Sequence, residues 1–179
     1  TDEEIVAISK CSTLKRLRVS FSKPNSVYNT LALLGNLAEL LELQVTNSQL
    51  TSEFFIKVFT LPNVDILKLQ LVYSADFGPD SLAGITEIAS LSTLILESAN
   101  FQSKTLRKLL QSCPNVVNVN VGYPYYITVM NDDTIADIAE NLKVKQLHIS
   151  GLCIGEDGYE SISKMLHLEE LVAYNAFSF

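Results

Sequence analysis

Seven times along the chain the pattern apolar-x-x-apolar-x-apolar recurs: Leu14/Leu17/Val19, Leu40/Leu43/Val45, Val64/Leu67/Leu69, Leu91/Leu94/Leu96, Val116/Val119/Val121, Val144/Leu147/Ile149 and Leu168/Leu171/Ala173. The central positions 17, 43, 67, 94, 119, 147 and 171 are separated by 26, 24, 27, 25, 28 and 24 residues. A period in the twenties kept over a whole chain is the mark of a repeat architecture. Within each copy the last positions alternate apolar with polar, which predicts a strand with one buried face. Between the copies, apolar residues fall at i, i+3 and i+4, as in Leu106/Leu109/Leu110/Cys113 and Ile135/Ile138/Ala139/Leu142, which predicts amphipathic helices. Helix starts are expected at Thr51 or Ser52, Asp80 or Ser81, Ser103, Asp132 and Asp157, whose side chains suit the N-cap.

Alternating strands and helices also describe a doubly wound sheet, whose strands are covered on both faces and read as unbroken apolar runs. Here the alternate positions are polar: Arg16 and Arg18, Glu42 and Gln44, Lys68 and Gln70, Asn118 and Asn120, Gln146 and His148. One sheet face is therefore expected to meet water. The fold class that follows is an α/β solenoid of about seven repeats of 24–28 residues, a single domain over residues 1–179. Its parallel sheet lines a concave face and its helices a convex one, each repeat burying its apolar row against its neighbours.

These residues resemble the leucine-rich repeats, right-handed β-α superhelices, over essentially the whole chain. "CSTL" (Cys11 to Leu14) and "CPNV" (Cys113 to Val116), with the loose "I-x-D-x-G" echo in "ISGLCIGEDG", resemble the cysteine-containing subclass found in F-box proteins. That resemblance implies a substrate-reading part of a cullin-type ubiquitin ligase. Ligand-sensing arms of innate-immune nucleotide-binding receptors, and regulators of small GTPases or actin, are the alternatives on a similar arc. Thr1 in place of an initiator Met is consistent with a fragment of a longer protein.

A net charge of −7 argues against nucleic acid, where clustered Lys and Arg neutralise phosphates. No apolar stretch approaches the length of a membrane span. Cys11, Cys113 and Cys153 form no C-x-x-C pair and cannot all be joined in disulfides, and there is no N-x-S/T acceptor, so a cytoplasmic or nuclear setting is expected.

Signatures of chemistry are absent from the pattern. His148 and His167 lack repeated partners and read as surface residues. Gly151, Gly155 and Gly158 lack the spacing of a phosphate loop, and Asp132 and Asp133 lack further ligands at calcium-loop spacing. Neither catalysis, a cofactor nor a metal is expected. The function expected is recognition of a protein partner by a monomer, with end-to-end association through an uncapped last strand as the route to anything larger. The candidate surface is Arg16, Arg18, Gln44, Lys68, Gln70, Asn118, Asn120 and His148, with Tyr123 and Tyr125 from "YPYY" on the rim. Arg16 and Arg18 should emerge about 7 Å apart on one strand face, suited to a carboxylate or phosphate. Leu94→Ala is expected to be costly and Glu97→Ala to cost little.

Overall fold

The structure, a computed structural model, describes residues 7–21, 34, 36–49, 51–73, 79–85, 87–97, 103–122, 131–141, 143–150 and 154–174. Its strands are β1 (Arg16–Ser20), β2 (Glu42–Gln49), β3 (Ile66–Tyr73), β4 (Thr93–Glu97), β5 (Asn118–Gly122), β6 (Gln146–Ser150) and β7 (Glu170–Tyr174). They form one parallel sheet in chain order, β1 to β7. The register aligns Leu17, Leu43, Leu67, Leu94, Val119, Leu147 and Leu171 in a single row, the central positions of the sequence pattern. Because side chains alternate along a strand, this register sends every central residue to one face.

Behind that face lie the helices α1 (Ser52–Phe59), α2 (Ser103–Gln111), α3 (Asp132–Asn141) and α4 (Glu156–Ser163). Phe54, Phe55, Val58, Leu106, Leu109, Leu110, Ile135 and Ile138 are buried in the same continuous core as the strand row. Elements touch only elements of the next repeat or their sheet neighbours among the described residues. The result is an α/β repeat of the solenoid kind.

A backbone device repeats with the period. The Lys15 carbonyl accepts from the N–H groups of both Leu41 and Glu42, at 2.8 and 3.0 Å. Leu41 does the same for Asp65 and Ile66, Asp65 for Ser92 and Thr93, Ser92 for Val117 and Asn118, Val117 for Lys145 and Gln146, and Lys145 for Glu169 and Glu170. Each strand from β2 to β7 therefore begins on a two-donor clasp to its predecessor, which uses polar groups that would otherwise be left unpaired at a strand end. Asn63 and Asn115 add a side-chain clasp, donating from Nδ2 to the carbonyls of Ala38 and Ala89, each at 2.8 Å.

The helix starts differ from expectation in three places. Thr51 caps α1, its hydroxyl accepting from the Phe54 N–H. The segment at Asp80 and Ser81 is a 3-10 turn, Pro79–Leu82, not an α-helix. Leu82, at its end, is buried, as are Ile85 and Ile88 in the segment that follows. At α3 the cap is Asn131, whose Oδ1 accepts from the Thr134 N–H at 3.4 Å, while Asp132 accepts from the Gly155 N–H at 2.8 Å. Gly155 occupies the N-cap position of α4 without a side-chain bond, and Asp157 sits inside the first turn. The α3 carboxylate thus serves the next repeat. Gly158 has to be glycine there, because an added Cβ would meet Asp132 Oδ1 at 2.5 Å and the Ile154 side chain nearer still.

The two sheet edges are unequal. At β1, Leu17 is buried and Ile8 and Leu14 pack against the core. At β7, Leu171 is 45 % exposed where its row neighbour Leu147 is fully buried, and Tyr174 and Leu166 are more exposed still.

Candidate functional site

The face away from the helices is built from the alternate strand positions. In the middle row stand Arg18, Gln44, Lys68, Ile95, Asn120, His148 and Val172, paired strand to strand. The flanking row that starts the strands carries Arg16, Glu42, Ile66, Thr93, Asn118, Gln146 and Glu170. All the described expected positions, Arg16, Arg18, Gln44, Lys68, Gln70, Asn118, Asn120 and His148, lie on this face, with burial ranging from half-buried to exposed. Tyr123 and Tyr125 lie outside the described residues.

Arg16 and Arg18 are each already paired to an acid. Glu42, from the adjacent strand, lies between them and Lys68: Arg18 Nη2 is 3.1 Å and Lys68 Nζ 3.3 Å from Glu42 Oε1, and Arg16 Nε is 3.7 Å from Oε2. Glu42 itself is buried. Burial would raise its pKa, yet hydrogen bonds from Lys68 and Arg18, with their charges, outweigh that and hold it below the ordinary glutamate range. Three cations share one carboxylate, so this corner keeps a surplus of two positive charges among the described residues. The side chains of Arg16 and Arg18 remain 78 % and 65 % exposed.

Further along, a hydrogen-bonded chain crosses four strands. Gln44 Nε2 donates to Gln70 Oε1 at 2.9 Å, Gln70 Nε2 donates to Glu97 Oε2, and Asn120 Nδ2 donates to Glu97 Oε1 at 3.0 Å. Thr46 also donates to Gln70, and Asn118 Nδ2 donates to Thr93 Oγ1 at 3.3 Å. Glu97 is therefore a junction of the network and not the idle surface acid its sequence position implies. Such side-chain ties fix amides in place before anything binds.

Between β4 and β6 the face dips into a concavity of about 230 Å³ lined by half-buried Ile95, buried Val119 and the polar Thr93, Asn118, Asn120, Gln146 and His148. His148 Nε2 lies 3.3 Å from Glu170 Oε1. Sequence reasoning missed Glu42, Glu97 and Ile95. The first two look like any other polar alternate, and Ile95 breaks the polar alternation of its row, which was the available signal.

His167 is exposed beside the last turn. Among the described residues no group of three or more His, Cys, Asp or Glu side chains is arranged to hold a metal. No helix among them is long and apolar enough to cross a membrane. Cys113 is buried, and burial pushes its thiol up to about 12, whereas Cys11 is exposed.

These features define a class of molecule, an all-parallel strand-and-helix repeat with one sheet face buried and the other open and polar. No protein-family model matches the chain, and a search among curated proteins finds no significant relative.

Proposed function

We propose that the chain is a recognition scaffold of the leucine-rich-repeat type, binding a protein partner on the open face of its sheet without catalysis. The observation that carries this reading is the open face itself. Seven strands present one face on which Arg18, Gln44, Lys68, Asn120 and His148 are tied to neighbouring side chains, with an apolar dip and a positively charged corner in the same surface. A surface ordered in advance loses little entropy on association, which is the physical basis of affinity in such a scaffold. The resemblance carried by the Cys11 and Cys113 segments favours substrate selection for an F-box type ubiquitin ligase, in the cytoplasm or nucleus, over the other roles of this arc.

The test is affinity capture from the protein's own cells with the wild type and with an Arg16→Glu/Ile95→Asp variant, after circular dichroism shows equal folding. Cullin-complex subunits retained by both, together with a further protein retained only by the wild type, support the reading. Identical captured sets would remove the open face from consideration, and absence of ligase subunits would remove the ubiquitin-ligase role alone.

A further inference from the structure

We propose that the open face reads an extended peptide segment carrying an Asp or Glu side chain and, four residues away, an aliphatic side chain. The inference rests on the recognition reading above and specifies its ligand.

The acidic position follows from charge. The corner formed by Arg16, Arg18 and Lys68 around Glu42 holds a surplus of two positive charges, and both arginine side chains are mostly exposed. A carboxylate reaching Arg16 and Arg18 from solvent takes up donor edges that Glu42 leaves free, without displacing it. The aliphatic position follows from shape and polarity. Ile95 is the half-buried apolar side chain among those lining a dip of about 230 Å³, the other partly accessible ones being polar, so an apolar side chain entering it covers Ile95 while the peptide's polar atoms meet polar partners.

The spacing follows from the register. Arg18 and Ile95 share one row, three strands apart, because Arg18 pairs with Gln44, Gln44 with Lys68 and Lys68 with Ile95. At about 4.8 Å between neighbouring strands that separation is roughly 14 Å. An extended chain rises about 3.3 Å per residue, so four residues span about 13 Å, and positions i and i+4 project to the same side. A three- or five-residue spacing sends one of the two side chains away from the face.

An extended conformation is favoured by what lies along the path. The N–H groups of a strand need acceptors when they leave water. Gln44 on the path, and Asn118 and Asn120 just past Ile95 on β5, each donate through the amide nitrogen, and no bond to their amide oxygens occurs among the described residues. Those oxygens are available to main-chain donors. A helical ligand, with its N–H groups satisfied internally, has no use for them.

The experiment selects a phage-displayed library of random 12-residue peptides on the immobilised full chain, and repeats the selection on Arg16→Ala and on Ile95→Thr. Both sites are solvent-accessible, Arg16 makes the longest contact to Glu42, and thermal melts confirm folding. The wild type should enrich peptides with Asp or Glu four residues from Leu, Ile, Val or Met. Arg16→Ala should weaken the acidic preference and keep the aliphatic one; Ile95→Thr should do the reverse. For a synthetic consensus peptide each substitution should weaken binding about three- to tenfold, as expected for loss of a largely exposed ion pair or about one methylene of apolar contact. Failure to enrich any peptide, a consensus with acid and aliphatic positions uncorrelated, or the same consensus on all three proteins overturns the proposal. If that happens while the Arg16→Glu/Ile95→Asp variant still loses its captured protein, recognition by the face stands and the linear acidic ligand is wrong.

Discussion

Replacing Glu42 by Gln removes one negative charge from the centre of three cations while keeping the size and one acceptor oxygen of the side chain. The contribution at stake is set by the partners. A hydrogen bond to a charged group contributes about 1.5–3 kcal/mol when shielded, and an exposed ion pair about 0.2–1 kcal/mol. Lys68 is the most enclosed of the three cations, Arg18 is 65 % exposed, and Arg16 is both exposed and 3.7 Å away, so the total falls near the low end, about 1–2 kcal/mol. For a chain of this length that corresponds to a melting point lower by about 3–6 °C near neutral pH.

The pH dependence identifies the cause. Glu42 titrates in the folded protein below its unfolded value of about 4.3, so the unfolded chain binds the proton first on acidification. The stabilisation is fully present above that unfolded value and is lost as pH falls through the folded one. Wild type and Glu42→Gln should therefore differ most near neutrality and converge as pH falls below the unfolded value and through the folded one, in urea titrations followed by circular dichroism. A difference that stays constant across this range, or a Gln variant as stable as the wild type near neutral pH, would refute the reasoning.

Leu94→Ala, at a fully buried row position, should cost about 2–5 kcal/mol. Glu97→Ala, which leaves Gln70 and Asn120 without their shared acceptor, should cost about 1–2 kcal/mol in the same denaturation assay, and equal loss in the two would contradict the register. Treatment of the folded protein with iodoacetamide at mildly alkaline pH should modify Cys11 and spare Cys113, whose thiol is buried and raised to about 12; mass spectrometry should find Cys113 labelled only after denaturation.

Most of the architecture was legible because a solenoid writes its period into the chain. The row Leu17 to Leu171 follows from counting, since the alternation of a strand leaves one choice of buried face. Local helix starts were less legible. Asp132 has the chemistry of a cap, but Asn131 stands one residue earlier, and the aspartate's partner, Gly155, belongs to the following repeat. The site was legible as a surface and not as a circuit. That Arg16, Arg18 and Lys68 converge on Glu42 depends on which strands are neighbours and in what register, information that no single strand contains.

The six two-donor clasps that begin successive strands arrange the molecule as links in series. Tension applied to its two ends has no parallel route around a link, since no repeat touches one beyond its neighbour among the described residues. Under load the chain behaves as a row of couplings whose weakest member sets the strength of the whole. Among the described strands β7 has the least covered apolar row, so its coupling is the one expected to yield first.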